Sequence, residues 1–254
     1  MKVIWLLAKN TYREIIRDRI LYGLIVFALL LVGFSLALGQ LSFTEQARIS
    51  GNFGFAGIHL SSMILAIFIG ASLVAKEIDK KTIMTLLVRP MTRLQFILGK
   101  CLGLSFVIGT VIVGLALVLA LVFHGLGLEI YGNFLKALWG IFLEALLLLG
   151  VAMFFSSFSR PVMVVSFSVG IFLIGHWINN LNFFAEKSES ESFRSVAAIV
   201  TEIMPNLENF NWRDQVLEAT FNPSGITSGT IYALSWFGVC TLLTAFIIRR
   251  KDFG

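Results

Sequence analysis

Long apolar runs alternate with short charged intervals along this chain, and the runs define its elements. A helix needs about 20 consecutive apolar residues to cross the hydrocarbon core of a bilayer. Six runs meet that need: Ile20–Leu38, Ile58–Ala75, Cys101–Phe123, Ala137–Phe155, Val162–Ile178 and Gly229–Ile248. The runs are continuous rather than alternating, and each exceeds the roughly 9–11 residues of a barrel strand. The pattern therefore predicts an all-α integral membrane protein with six transmembrane helices. Residues 1–19 precede the first span with a different pattern. Ile4, Leu7, Ala8, Ile15 and Ile16 share one helical face, while Lys9, Arg13 and Arg17 recur every four residues on another. A basic amphipathic helix beside a span belongs in the membrane interface.

The links between runs set the orientation. Five basic residues precede the first span, the interval 76–100 is strongly basic, Arg160 sits in the 156–161 link, and Arg249, Arg250 and Lys251 follow the last span. The intervening links, 39–57, 124–136 and 179–228, are not net basic. Positive charge marks cytoplasmic loops, so both termini are expected inside.

The link 179–228 carries seven acidic and three basic residues and is far longer than a connection needs. Phe193, Val196, Ala197, Ile199, Val200 and Ile203 recur at helical spacing, which predicts a helix over Ser192–Met204 stopped by Pro205. A second short helix is expected over Trp212–Thr220. Pro205, Asn206, Phe210 and Trp212 admit two readings: aromatic anchors in the outer interface, or part of an external cap over the membrane domain that also docks a partner.

Composition agrees with the pattern. The 254 residues are 57% hydrophobic and only 14% charged, against about 25% charged in soluble domains. Mean hydropathy is +0.87. The net charge of +5 arises from basic residues at span ends, a topology signal rather than a nucleic-acid surface. Cys101 and Cys240 both fall in apolar runs and read as small buried hydrophobes. No small-residue cleavage site follows the first run, which reads as a span and not a cleaved leader.

Polar chemistry inside the spans is sparse. Glu144 lies within the fourth, and an intramembrane carboxylate marks a substrate contact, a proton site or a helix lock. His59, His124 and His176 are each alone in sequence and lack metal-ligand spacing, so no metal site is expected. Gly99 with Gly103, and Gly225 with Gly229, are spaced to let helices approach closely. There is no G-x-x-x-x-G-K-[ST] loop to cradle ATP, no H-E-x-x-H and no G-x-S-x-G. No internal repeat of the secondary-transporter kind is visible.

The interval Lys76–Lys100 is the most charged in the chain. Lys76, Lys80, Lys81, Arg89, Arg93 and Lys100 face only Glu77 and Asp79. Thr82–Val88 is apolar enough for a short amphipathic helix, which Pro90 stops. Glu77, Thr82, the pair Leu86–Leu87, Pro90, Arg93, Gly99 and Lys100 together resemble the cytoplasmic coupling segment of ABC-2 type transporter permeases, with Lys81 where many members carry Gly. With the six-span layout, the whole chain is similar to the small single-domain permeases of that family, such as the nitrous-oxide-reductase maturation permease. The resemblance implies one transmembrane domain over 1–254, an exporter, and a permease dimer formed with a second copy or homologue. It implies two ATP-binding subunits docked on Glu77, Asp79, Lys81, Thr82, Leu86, Leu87, Arg89, Pro90, Arg93 and Lys100. Those subunits would hold ATP and Mg²⁺, with no cofactor and no catalysis in this chain, in a bacterial or archaeal plasma membrane. Two alternatives remain open: an ATP-driven mechanical element that signals to an extracytoplasmic partner, and a secondary transporter using Glu144.

Overall fold

The computed structural model describes residues 2–40, 46–79, 92–127, 132–213 and 224–250, and these are helical almost throughout. In chain order the helices are α1 (Lys2–Ile16), α2 (Arg19–Gln40), α3 (Gln46–Asp79), α4 (Arg93–Gly125), α5 (Asn133–Ser156), α6 (Pro161–Lys187), α7 (Glu191–Ile203) and α8 (Ser224–Arg250), with a 3₁₀ turn at Glu208–Phe210 before α8. There is no strand among the described residues. Five helices, α3, α4, α5, α6 and α8, are long and apolar enough to cross a membrane. α2 adds a shorter apolar stretch, Leu21–Phe34.

The hydrophobic runs fix where the helices lie, and packing decides which are central. α3 and α5 form the inner pair, with 72% and 78% of their apolar windows buried, against 22% for α6 and 28% for α8. α2 and α5 pack on α3, α8 packs on α5, and α1 lies along α4. Arg17 and Asp18 break the chain between α1 and α2, so the N-terminal helix is separate from the first span. It does not float free: Ala8, Thr11 and Ile15 are buried. Gly99 and Gly103 provide the room. A Cβ at Gly99 would sit 2.6 Å from Leu7 Cβ, and one at Gly103 would sit 2.7 Å from the Ala8 carbonyl oxygen. Of the two glycine pairs, this one makes a helix contact along its length, while Gly225 faces open space.

Three links are shorter than the hydropathy pattern suggests. The interval 39–57 is helix on both sides of the undescribed 41–45, because α3 already starts at Gln46. Phe55 and Ile58 are buried, and Phe55 stacks edge-on against Phe134 of α5 at 5.2 Å. α4 starts at Arg93 rather than Cys101. Thr92 caps it: its hydroxyl accepts from the Gln95 amide at 3.2 Å while Gln95 Oε1 accepts from the Thr92 amide at 3.1 Å. α6 runs on to Lys187, so 179–187 is helix and not loop. α7 begins where its Ser190 cap accepts from the Phe193 amide, and it ends before Pro205. The expected second helix, Trp212–Thr220, lies largely outside the described residues.

Candidate functional site

Among the described residues, three ionisable side chains from different helices form a polar cluster in the apolar interior. Glu144 of α5 is 1% exposed and meets no lipid-facing surface. Its Oε2 lies 2.9 Å from His59 Nε2 of α3, and its Oε1 lies 3.5 Å from His176 Nε2 of α6. The first is a hydrogen bond; the second is close enough for an ion pair but too long for a hydrogen bond. His59 is buried and His176 partly so, with 21% of its side chain exposed. The ligand atoms of all three residues lie within 4.8 Å of one another. Phe172, one turn before His176, packs its ring at 4.7 Å from the His176 ring and 5.9 Å from the His59 ring.

The three meet because they lie at one depth. Each sits about eleven residues, or roughly 16 Å of helix rise, from the same end of the bundle. That shared depth is the signal that spacing along the sequence concealed. His59 and His176 are far apart in the chain, and neither has a metal-ligand neighbour within its own helix. Glu144 faces other helices, and the two histidines, each alone in the sequence, meet it in space.

The second polar feature lies at the opposite end. Arg93, the first residue of α4, donates through Nη1 to the Ile248 and Arg249 carbonyls of α8, at 2.8 and 2.9 Å. These are carbonyls of a final helical turn, which have no partner within the helix. Lys100, two turns on, points inward instead. It is 6% exposed, its Nζ lies 3.9 Å from Glu14 Oε2 of α1, and it stands 5.5 Å over the Phe96 ring. The backbone at Glu77 and Asp79 is the last turn of α3; Lys81, Thr82, Leu86, Leu87, Arg89 and Pro90 lie outside the described residues.

The segment after α7 is not an interfacial belt. Leu207, Phe210 and Trp212 are buried, at 0%, 1% and 7% exposure, and form a plug between α5, α6 and α8. Glycines receive it: a Cβ at Gly140 would stand 2.6 Å from the Phe210 carbonyl oxygen, and one at Gly175 would stand 2.6 Å from Leu207 Cγ. The Leu207 amide donates to the Gly175 carbonyl at 3.1 Å, the Asn206 amide to Tyr232 Oη at 2.9 Å, and Asn206 Nδ2 to Asn179 Oδ1 at 3.0 Å. Backbone polar groups at membrane depth are tolerated only where protein surrounds and satisfies them, and these contacts do so. Aromatic side chains in a loop suggested the interface; their fit against glycines of three helices puts them inside.

Apolar helices long enough to cross a bilayer, with a carboxylate buried among them, define a multi-pass membrane protein. The chain belongs to the ABC-2 family: a family model described as ABC-2 family transporter protein matches residues 5–249. No curated protein matches the chain. Members of this family are membrane components that associate with ABC ATP-binding subunits, and the chain is a multi-pass membrane protein of that kind.

Proposed function

We propose that this chain is the permease subunit of an ATP-driven exporter in a bacterial or archaeal plasma membrane. It pairs with a second copy or a homologue and works with two separate ATP-binding subunits, which hold ATP and Mg²⁺. The part of the basic interval ahead of α4, residues 76–92, is the docking segment, while Lys100 is buried against α1. The observation that carries this reading is the Arg93 clamp on the last carbonyls of α8. Arg93 ends the charged interval and begins α4. A push on that interval therefore moves α4 and α8 together, and α4 carries α1 with it through the Gly99–Gly103 contact. Replacing residues 80–91 by a Gly/Ser stretch tests the docking. The variant should insert and dimerise normally but no longer co-purify with the ATP-binding subunits. Retention of those subunits at wild-type stoichiometry would remove the docking assignment.

A second reading, an ATP-driven mechanical element acting on an extracytoplasmic partner, is favoured by α7. Phe193, Val196, Ile199 and Ile203 stand exposed along it at 39–60%, while only Ala197 is buried. Deleting 189–203 with a short Gly/Ser bridge leaves the plug in place. Loss of partner capture with retained ATP hydrolysis would support this reading; wild-type behaviour in both would leave α7 as an interfacial helix.

A further inference from the structure

We propose that His59, Glu144 and His176 form a binding site for one divalent transition-metal ion of the Zn²⁺ class, tying α3, α5 and α6 together. The site goes beyond the ATP-driven reading and does not depend on it.

The donor set is the first argument. Two imidazoles and a carboxylate suit Zn²⁺ and its first-row neighbours, and three protein ligands leave a fourth position for water. Ligands bound at about 2.0–2.1 Å in a tetrahedron stand roughly 3.3 Å apart. The two His–Glu contacts, 2.9 Å to Oε2 and 3.5 Å to Oε1, reach different oxygens, and one ligand atom from each residue lies within 4.8 Å of the other two, a separation that small side-chain rotations close to that value.

The second argument is the tautomer of His176. Its Nδ1 lies 3.1 Å from the Phe172 carbonyl oxygen, which only accepts, so Nδ1 carries the proton. In the neutral ring Nε2 then presents a lone pair to Glu144 Oε1. An N–H held by a backbone carbonyl is the outer contact that orients metal-binding histidines. The third argument is what the protein leaves unanswered. Glu144 Oε1 and His176 Nε2 are both buried and make no hydrogen bond. Two facing acceptors in an apolar interior are costly, and a positive charge between them removes the cost. A helix lock made only of hydrogen bonds would satisfy both atoms, and this one does not.

One group opposes the ion. Arg213, at the end of the plug, lies within electrostatic range of His59, and Asn211 Oδ1 accepts from its Nε at 3.1 Å. Its charge should weaken cation binding without blocking it.

The test uses the full chain in detergent, purified without a histidine tag and stripped of metal, with Zn²⁺ alone and Co²⁺ alone as probes. The wild type should bind one Zn²⁺ per chain, and Co²⁺ should give the intense visible bands of a tetrahedral site. Glu144→Gln should weaken Zn²⁺ binding at least ten-fold, and His176→Gln should abolish the tetrahedral Co²⁺ spectrum, both at unchanged elution volume. Arg213→Gln should tighten binding, and His124→Gln should leave it unchanged. If the wild type binds less than one ion per two chains, or shows only the weak octahedral Co²⁺ spectrum, the cluster is a proton-held helix lock and the proposal fails. Equal binding by the wild type and both cluster variants overturns it as well. The wild-type spectrum decides even if a variant does not fold.

Discussion

The two ends of the bundle are closed by different means. At one end Leu207, Phe210 and Trp212 fill a socket floored by glycines, and backbone amides at Asn206 and Leu207 are satisfied by Tyr232 and Gly175. At the other, one guanidinium holds two carbonyls of the last helical turn. The plug is held by buried apolar volume, which changes only in large steps when disturbed. The Arg93 clamp rests on hydrogen bonds at a partly exposed position, each worth little net free energy. The difference predicts which end resists disturbance and which yields to it. The Glu144 cluster lies between them, at a depth where either end's motion would change how α3, α5 and α6 meet.

The comparison breaks most severely at the plug. Trp212→Ala should cost about 3–5 kcal/mol, the usual range for emptying a buried aromatic site, read as unfolding free energy in mixed micelles. Gly140→Leu should act similarly by expelling the Phe210 backbone. A loss under about 1 kcal/mol for Trp212→Ala would show that the plug is not a structural part of the bundle.

The middle level comes next in magnitude. Glu144→Ala leaves His59 Nε2 buried without its partner and should cost about 1–3 kcal/mol. Glu144→Gln keeps an acceptor for His59 and should cost less than half as much in metal-free protein. Equal losses in the two variants would mean that the negative charge, not the hydrogen bond, holds the helices. The Arg93 end is smaller again in stability. Arg93→Ala should cost about 1–2 kcal/mol, with faster amide exchange confined to the last turn of α8. Exchange rising equally in α5 would show that the clamp is a global strut. The smallest effect belongs to Tyr12→Phe, which removes one exposed hydroxyl contact to Thr110 at 3.2 Å and should change stability by less than about 0.5 kcal/mol.

Much of this architecture was legible from hydropathy, because continuous apolar runs have few ways to satisfy their backbone in lipid. The helix over Ser192–Met204 was legible as well, from its period and from Pro205. Helix ends were not. α3 begins at Gln46, well ahead of the apolar run that marks its span, and Gly54 and Gly57 in that leading part admit side chains of neighbouring helices. The place of Phe210 and Trp212 was hidden because an aromatic residue in a loop has the same composition whether it anchors to an interface or fills a socket. Glu144 stood out by charge alone. Its two histidine partners did not, since their proximity is set by depth in three helices and not by distance along the chain. Arg93 stood out as a basic residue in a basic interval, but nothing in the sequence joins it to Ile248.

The central claim is that force from ATP-binding subunits enters through the basic interval and reaches the spans through Arg93. The most direct measurement is ATP hydrolysis by the assembled complex in proteoliposomes, comparing wild type with Glu77→Ala, Arg93→Ala and the pair. The account predicts that subunit stoichiometry is unchanged while hydrolysis stimulated by the permease falls several-fold in Arg93→Ala and further in the double variant. Wild-type hydrolysis in the double variant, at full assembly, would contradict it.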